Sequence, residues 1–353
     1  MPAPEREVLA MRTAAVATRL PHLRALRLGG PGALDLADAL TSSRLFIREN
    51  QIIQTLMLDS SARVFADAFV GQDEDSLIVL AEGPTADGLR AHVEAVRRER
   101  LPESEVAVDD LLDGREIWGL DGPYAWEIAS ALLGPEVLGA PYLSFLHLGE
   151  VTCFRAGRTG EYGYLLLVPA AQARPLWTRL FELGAPQGLV EGSLAALDQC
   201  ALENWHFFMR ALDAEPDLTP LELQLQWRVD YAKDFAGAAA LRERRRAPAG
   251  RVTCAVADRP VRPRDPVLLD ARQVGSVIAS GYSSVLQRWV AWALLRRELS
   301  WPGICFEAAT AEGLVALQTR SAPLINNRSL FVDPHRHSHQ TRGSDAFPPL
   351  VTP

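Results

Sequence analysis

Two stretches of the chain put residue types where chemistry could be done. Val64 to Val70 alternates as a strand does, with Val64, Ala66, Ala68 and Val70 on one face and Phe65, Asp67 and Phe69 on the other. One carboxylate therefore stands between two aromatic neighbours. Desolvation there raises a carboxyl pKa and a nearby cation lowers it, so Asp67 is a candidate acid, base or charge anchor; the alternative is an edge-strand aspartate turned to water. The second stretch is FRAGRTGEYGYLLLVP, Phe154 to Pro169, in which Gly157, Gly160 and Gly163 surround Thr159 and Glu161 before an apolar run. Glycines allow tight turns and close approach of a ligand to the backbone, and an acid at Glu161 could grip an N–H-rich ring. The G-K-[ST] of a P-loop is absent.

Other reactive residue types carry less. Lys233 is the only lysine, so lysine-based chemistry would have to use that one residue. Cys153, Cys200, Cys254 and Cys305 are widely spaced with no CxxC pair, which reads as reduced core thiols rather than metal ligands. His335, His337 and His339 would share a face in a strand and could bind a metal there. In a polar, proline-containing terminus the expectation is a disordered tail over 333–353 and no metal site.

The elements that must position these residues follow from periodicity and turn signals. GGPGALDLADAL reads as a turn feeding an amphipathic helix. Strands are expected at Gln54–Leu58, Val64–Val70 and Leu77–Leu80, the last two joined as a hairpin through GQDED. Helices are expected at Thr85–Arg100, Tyr124–Leu133, Ala171–Leu183 and about Ser193–Phe208, with YGYLLLVP a buried strand. Strands and helices alternate with hairpins rather than strict βαβ units, so the class is α+β. Residues 1–241 form the main region, RERRRAPAG (242–250) a basic linker, and 251–332 a small β-barrel-type domain whose one helix is expected at Ser284–Leu295.

Length and composition set the outer bounds. The 353 residues exceed one ordinary domain, and 36 Lys+Arg against 44 Asp+Glu give a net charge of −8. Such an acidic balance argues against nucleic acid or an anionic membrane as partner. Hydrophobic residues at 48% and charged residues at 23% describe a packed protein rather than a disordered one. No apolar run reaches the ~18 residues of a membrane span, the start has no signal pattern, and a cytoplasmic location is expected.

Arg155-Ala-Gly-Arg-Thr-Gly-Glu-Tyr-Gly resembles the R-x-G-Y-T-G-E-x-G motif of the glycine cleavage T-protein (aminomethyltransferase) family, which transfers one-carbon units to or from tetrahydrofolate. Further pieces follow in the family's order. Leu197-Asp198 through Leu202-Glu203 resembles R-D-x-L-R-L-E, and Thr219-Pro220-Leu221-Glu222 with Leu225-Gln226-Trp227 resembles T-P-x-E-x-x-L-x-W. Lys233-Asp234-Phe235-Ala236-Gly237 resembles D-F-x-G, and Leu120-Asp121-Gly122-Pro123 stands where the family has L-Q-G-P. Val274-Gly275 and Ser280-Gly281 with Ser283 resemble G-x-V-T-S-G-x-x-S-P, and the ordered set covers about residues 25–325.

The resemblance implies two α+β subdomains and a C-terminal barrel around a central cleft, with Asp67 and Glu161 lining it from different subdomains. It makes Asp67 the aspartate beside the reacting folate nitrogen. It makes Glu161 the holder of the pterin, with Val79, Ala81, Tyr164 and Glu203 also on the cofactor side and Arg158, Trp205 and His206 on the substrate side. The chain also departs from the family. Arg158 replaces the motif tyrosine, Leu197 and Ala201 replace two arginines, Ala81 stands at an asparagine position, and Leu165 replaces an acid. Trp205, His206 and Phe207 follow Glu203 where the family has small residues, in space that a lipoyl arm would use. The expected activity is thus a tetrahydrofolate-dependent methyl or methylene transferase or demethylase acting on a small molecule rather than on a lipoyl carrier protein. Two alternatives stand beside it: an enzyme using the same pocket without folate, and a non-enzymatic folate-binding protein of iron–sulfur maintenance. The K-G-C-Y-x-G-Q-E of that last group is absent here.

Overall fold

The structure is a computed structural model that describes residues 3–247 and 250–351. Helix α1 (Ala3–Thr13) leads into strands β1 (Ala15–Arg19) and β2 (Leu23–Gly29), which part to different sheets. Helix α2 (Ala33–Leu40), strands β3 (Ile52–Leu58), β4 (Val64–Asp73) and β5 (Ser76–Glu82), helix α3 (Ala86–Arg100) and strand β6 (Ala107–Asp110) complete the first subdomain. Its antiparallel sheet has the order β3-β4-β5-β2-β6. Period-two alternation sorts β5, and β4 from Ala66 onward, as their sequence demands, but a register shift at the start of β4 turns Phe65 to the helix side, stacked on His92 at 4.3 Å, so Asp67 does not stand between two aromatic neighbours. Ala66, Ala68, Val70, Leu77, Val79 and Ala81 pack under α2 and α3, while Phe69, Ile78 and Leu80 face the other way. Thr85 begins α3 by accepting the Gly88 N–H at 3.1 Å.

The second subdomain holds β7 (Arg115–Asp121), α4 (Ala125–Leu133), β8 (Phe145–Leu148), β9 (Val151–Phe154), β10 (Gly163–Pro169), α5 (Ala170–Gly184) and β11 (Leu189–Glu191). Its sheet runs β11-β1-β7-β10-β9-β8, with α4 and α5 covering one face. The bare faces of the two sheets meet through Leu20, Leu23, Phe69, Leu80, Ile117 and Phe154, so helices lie outside and strands inside. Gly122, at φ 135°, lets β7 turn into α4 against α1; a Cβ there would lie 2.5 Å from the Ala14 carbonyl oxygen.

Helix α6 (Leu194–Asn204), a long irregular stretch and helix α7 (Ala238–Arg244) lead to a closed barrel. Its strands are β12 (Arg251–Ala257), β13 (Pro266–Leu269), β14 (Arg272–Ser283), β15 (Arg288–Leu295), β16 (Cys305–Thr310) and β17 (Gly313–Thr319). The barrel's outer face, with Val252, Cys254, Ile278 and Trp292, packs on α6 and on the segment from Phe207 to Leu241. The α+β class with a C-terminal barrel is as expected.

Four expectations change. Ser284–Leu295 is a hairpin turn and strand β15, not a helix: Ala291, Ala293 and Leu295 fill the barrel while Val290 and Trp292 point out to α6, so both faces are apolar and periodicity is hidden. Helix α6 stops at Asn204 because Trp205 takes φ 60°, four residues short of Phe208. The basic stretch 242–250 begins inside α7, and Pro248 and Ala249 lie outside the described residues. Residues 333–351, expected to be disordered, lie in turns against the second subdomain. There the His339 N–H and ring each reach Glu127 at 2.6 Å and Arg342 donates to the Gln187 carbonyl at 2.9 Å. His335, His337 and His339 do not share a strand face, and no group of three metal-ligating side chains occurs among the described residues.

Candidate functional site

Asp67 lies in β4 directly across from Glu82 of β5, and both are buried. Two carboxylates opposed on one sheet repel, so the pair requires cations. Three arginines from distant segments supply them. Arg228 donates from Nη1 to Asp67 Oδ1 at 3.0 Å. Arg158 bridges the acids, with Nη2 3.4 Å from Asp67 Oδ2 and Nη1 on Glu82. Arg210 sits 3.1 Å from Glu82 and forks onto Asp198 of α6 at 2.6 and 2.5 Å. Arg228 is set in place by Ser42 and Ser43, whose hydroxyls both donate to its carbonyl at 2.8 Å. Asp67 Oδ2 makes no hydrogen bond although it is buried.

Two histidines adjoin this network and both are neutral near pH 7. His206 is pushed down to about 3 by burial and then by Arg228 and Arg158, and His22 to about 3 by burial and then by Arg210 and Arg158. Burial lowers the Arg158 pKa more than Asp67 restores it.

A second acidic cluster lies behind the glycine-rich turn. Glu161 takes the backbone N–H groups of Arg328 at 3.1 Å and Ser329 at 2.7 Å, and the Ser329 hydroxyl at 2.6 Å. Arg12 of α1, fully buried, stands 3.6 Å from Glu161 and donates to Glu203 at 2.9 Å, to the Thr159 carbonyl at 2.6 Å and to the Cys200 carbonyl at 3.2 Å. Burial opposes the Arg12 charge, yet the fields of Cys200, Glu203 and Glu161 outweigh it and raise its pKa. Glu161 is itself raised, by burial first, against the lowering by Arg12 and the Ser329 hydrogen bonds. Between the two clusters stands Asp121, at the end of β7. Thr159 Oγ1 donates to it at 3.1 Å, and burial pushes its carboxyl up to about 7.

Two openings meet at this site. An inner chamber of about 50 Å³ is walled by Leu20, Leu23, Leu165, Leu197 and Phe208 and carries His22, Glu82, Asp121, Arg158, Asp198 and Arg210. An outer groove of about 510 Å³ runs between α1, α6 and the barrel strand β14, past Glu5, Gln199, Ile278 and Tyr282. The two share Asp198, Phe208 and Arg210, which stand between them.

Of the residues expected at the site, Arg158 lines the chamber, Asp67 lies behind it and the His206 ring feels the Asp67, Arg158 and Arg228 charges. The others are elsewhere. Val79 and Ala81 point beneath α2 and α3, so Leu80 and Glu82 hold the facing register positions. Tyr164 is core under α4 and α5, with Arg155 stacked 4.8 Å from its ring, and Trp205 packs on Trp292 at 4.8 Å. Lys233 is an anchor, donating to Asp38 at 2.8 Å and to the Ser43 carbonyl at 2.7 Å. The sequence reading gives no role to Arg228, Arg210 or Glu82, and Asp198 enters it only within the R-D-x-L-R-L-E resemblance. Asp121 had a visible signal, an acid where the L-Q-G-P pattern has an amide.

Residues 1–233 match the GCVT N-terminal domain and residues 250–325 match the glycine cleavage T-protein C-terminal barrel domain. The chain belongs to the glycine cleavage T-protein family. This T-protein relative is similar to the aminomethyltransferase of Saccharopolyspora erythraea, 28% identical over 333 residues that cover 91% of this chain and 89% of that protein. It is 30% identical to the aminomethyltransferase of Synechococcus sp. strain RCC307 over 319 residues, 87% of this chain and 84% of the other. Its fold matches the crystal structure of glycine cleavage system aminomethyltransferase T from Bartonella henselae with a TM-score of 0.81, over 92% of this chain and 90% of that one at 21% identity. The family's chemistry in general is tetrahydrofolate-dependent one-carbon transfer. Among the described residues no helix is long and apolar enough to cross a membrane.

The residues present divide on tetrahydrofolate. Glu161 and Glu203, the acids expected to grip the pterin, already hold donors of the chain itself, and the inner chamber is far below the ~300–1,000 Å³ of small-molecule sites. The outer groove falls within that range, but Arg210 already forks onto its Asp198 carboxylate, so what it offers a ring with N–H donors is the Gln199 amide oxygen beside the apolar wall of Phe208. By size, only the groove of these two openings could take a ligand of that class.

Proposed function

We propose that this protein is a one-carbon transferase or demethylase that takes a methyl or methylene group from, or gives it to, a small molecule in the inner chamber, with tetrahydrofolate in the outer groove. The observation that carries the reading is the shared boundary: a ligand-sized groove and a charged chamber are separated by Phe208 and the Asp198–Arg210 ion pair. Gln199 and Phe208 would hold tetrahydrofolate, which when bound supplies the nucleophilic nitrogen that exchanges the carbon.

The chain's own residues do the rest. Leu20, Leu23 and Leu165 exclude water from the chamber, which strengthens every charge interaction within it. Asp67 lies behind Arg158 with Oδ2 short of a hydrogen bond; with Arg158 displaced it would stabilise positive charge on a reacting nitrogen or hold its proton. Arg158 balances that carboxylate between turnovers. The test is calorimetric titration of tetrahydrofolate into the wild type, Ala195→Trp, which fills the groove from an exposed position on α6, and Glu161→Gln. Saturable binding lost in Ala195→Trp and kept in Glu161→Gln is expected. The reverse pattern would return the ring to the glycine-rich turn, and no binding at all would favour use of the pocket without folate.

A further inference from the structure

The charges that line the inner chamber do not balance. Arg158 and Arg210 are engaged by Glu82, Asp67 and Asp198, and the nearer partner of Asp67 is Arg228. His22 is neutral. Asp121 is the remaining acid on the wall. Among the described residues no cation lies within salt-bridge distance of it, and the Thr159 hydroxyl donates to it at 3.1 Å. With Asp121 ionised, the lining residues carry two positive and three negative charges, two minus three leaving one negative charge unmatched.

The remaining wall is aliphatic and aromatic: Leu20, Leu23, Leu165, Leu197, Ala201 and Phe208. A buried charge is costly unless it is paired, and such a wall solvates nothing. A ligand that met both demands would be apolar over most of its surface and would carry one positive charge. Size narrows the class. At about 10–15 Å³ of accessible volume for each water-sized group, a chamber of about 50 Å³ holds roughly four heavy atoms.

We infer that the inner chamber is a binding site for a small N-methylated ammonium group, whose charge pairs with Asp121 and whose methyl groups contact the leucines and Phe208. The inference names a substrate class for the transfer reading and rests on it for relevance to catalysis, but the site itself stands on the chamber's charge and shape.

The surroundings give the site a pH dependence. Facing Asp121 are Arg12 from α1, Arg155 and Glu161 from the glycine-rich turn and Cys200 from α6, besides the chamber groups already named. Burial is the largest influence and holds the carboxyl near 7, so it is mostly protonated at pH 6 and mostly ionised at pH 8. If only the ionised form binds the cation, affinity rises about tenfold across that interval.

Trimethylammonium chloride serves as the probe, titrated into the full chain by calorimetry at pH 6 and 8, with tert-butanol as a neutral molecule of like shape. Saturable binding of trimethylammonium alone, about tenfold tighter at pH 8 and lost in Asp121→Asn, is expected. Equal affinity at the two pH values, equal binding of tert-butanol, an unaffected Asp121→Asn variant or no saturable binding would each overturn the inference. The pH comparison needs no variant, so it decides even if Asp121→Asn folds poorly. Tetrahydrofolate binding, measured separately in the groove, shows whether a failure belongs to the chamber or to the transfer reading as a whole.

Discussion

Replacing Asp121 with asparagine should make the protein more stable at pH 8 and leave it unchanged near pH 4. The carboxyl ordinarily titrates at 3.8 and in the fold at about 7, with burial as the first cause. Between those values the native state binds more protons than the unfolded state, so stability falls as pH rises through the window and is flat outside it. The full shift is about 3 pH units, and at about 1.4 kcal/mol per unit the ionised carboxylate costs the fold at most ~4 kcal/mol above pH 7. Local relaxation and water entry reduce that figure, so a gain of about 2–4 kcal/mol for Asp121→Asn is the working value. Asparagine keeps an oxygen to accept the Thr159 hydroxyl, so the wall of the chamber is preserved. Urea unfolding at pH 4, 6 and 8 measures the gap between variant and wild type from the midpoints and slopes. A gap that opens from near zero at pH 4 to its full size at pH 8 is expected. A variant equal to or weaker than wild type at pH 8 would mean that Asp121 is ionised at little cost, and the unmatched charge in the chamber would disappear with it.

Two further substitutions test the networks around the chamber. Arg12→Met should lower stability by about 3–5 kcal/mol in a thermal or urea scan, because Glu161 and Glu203 would lose the buried cation they share. Asp67→Asn should lower turnover in a one-carbon transfer assay and also lower stability by about 2–4 kcal/mol, because Arg228 and Arg158 would both be left short of a counter-charge inside the protein. Unchanged turnover in that variant would remove Asp67 from the mechanism.

Much of the scaffold could be read from the sequence because local rules decided it. The alternation in Val64–Val70 sorted Asp67 and Phe69 to the inter-sheet face and Ala66 and Ala68 to the helix face, as the structure has them. Thr85 and Ser193 marked helix starts through their caps. The strand at Arg288–Leu295 was missed because an apolar run buried on both faces has no period to read. The site was legible only in part. Asp67 and Arg158 could be found from motif and departure, but Arg228 meets Asp67 across 161 positions and Arg12 meets Glu203 across 191, and no local pattern announces such pairs. Glu161 stood out as an acid for a ligand to use, and its real partner is Ser329, 168 residues away. Val79 and Ala81 show how a register offset of one residue moves a side chain from a cavity to a core.

The Arg12 keystone also bears on how the molecule is made. One side chain in the first helix bonds to Asn327, 315 residues further along, as well as to the turn at Thr159 and to α6. During synthesis that guanidinium emerges early and its anionic partner Glu203 much later. The 3-10 turn that caps Glu161 from the other side, with Arg328 and Ser329, comes nearly last. At about 5–20 residues per second the interval from Arg12 to Asn327 is roughly 15–60 s. Through that interval the wall behind the chamber is open, and the sheets can form without it. The acid cluster therefore closes as a late docking event joining distant parts of one chain, and the nascent protein depends on whatever shields its apolar sheet faces until then.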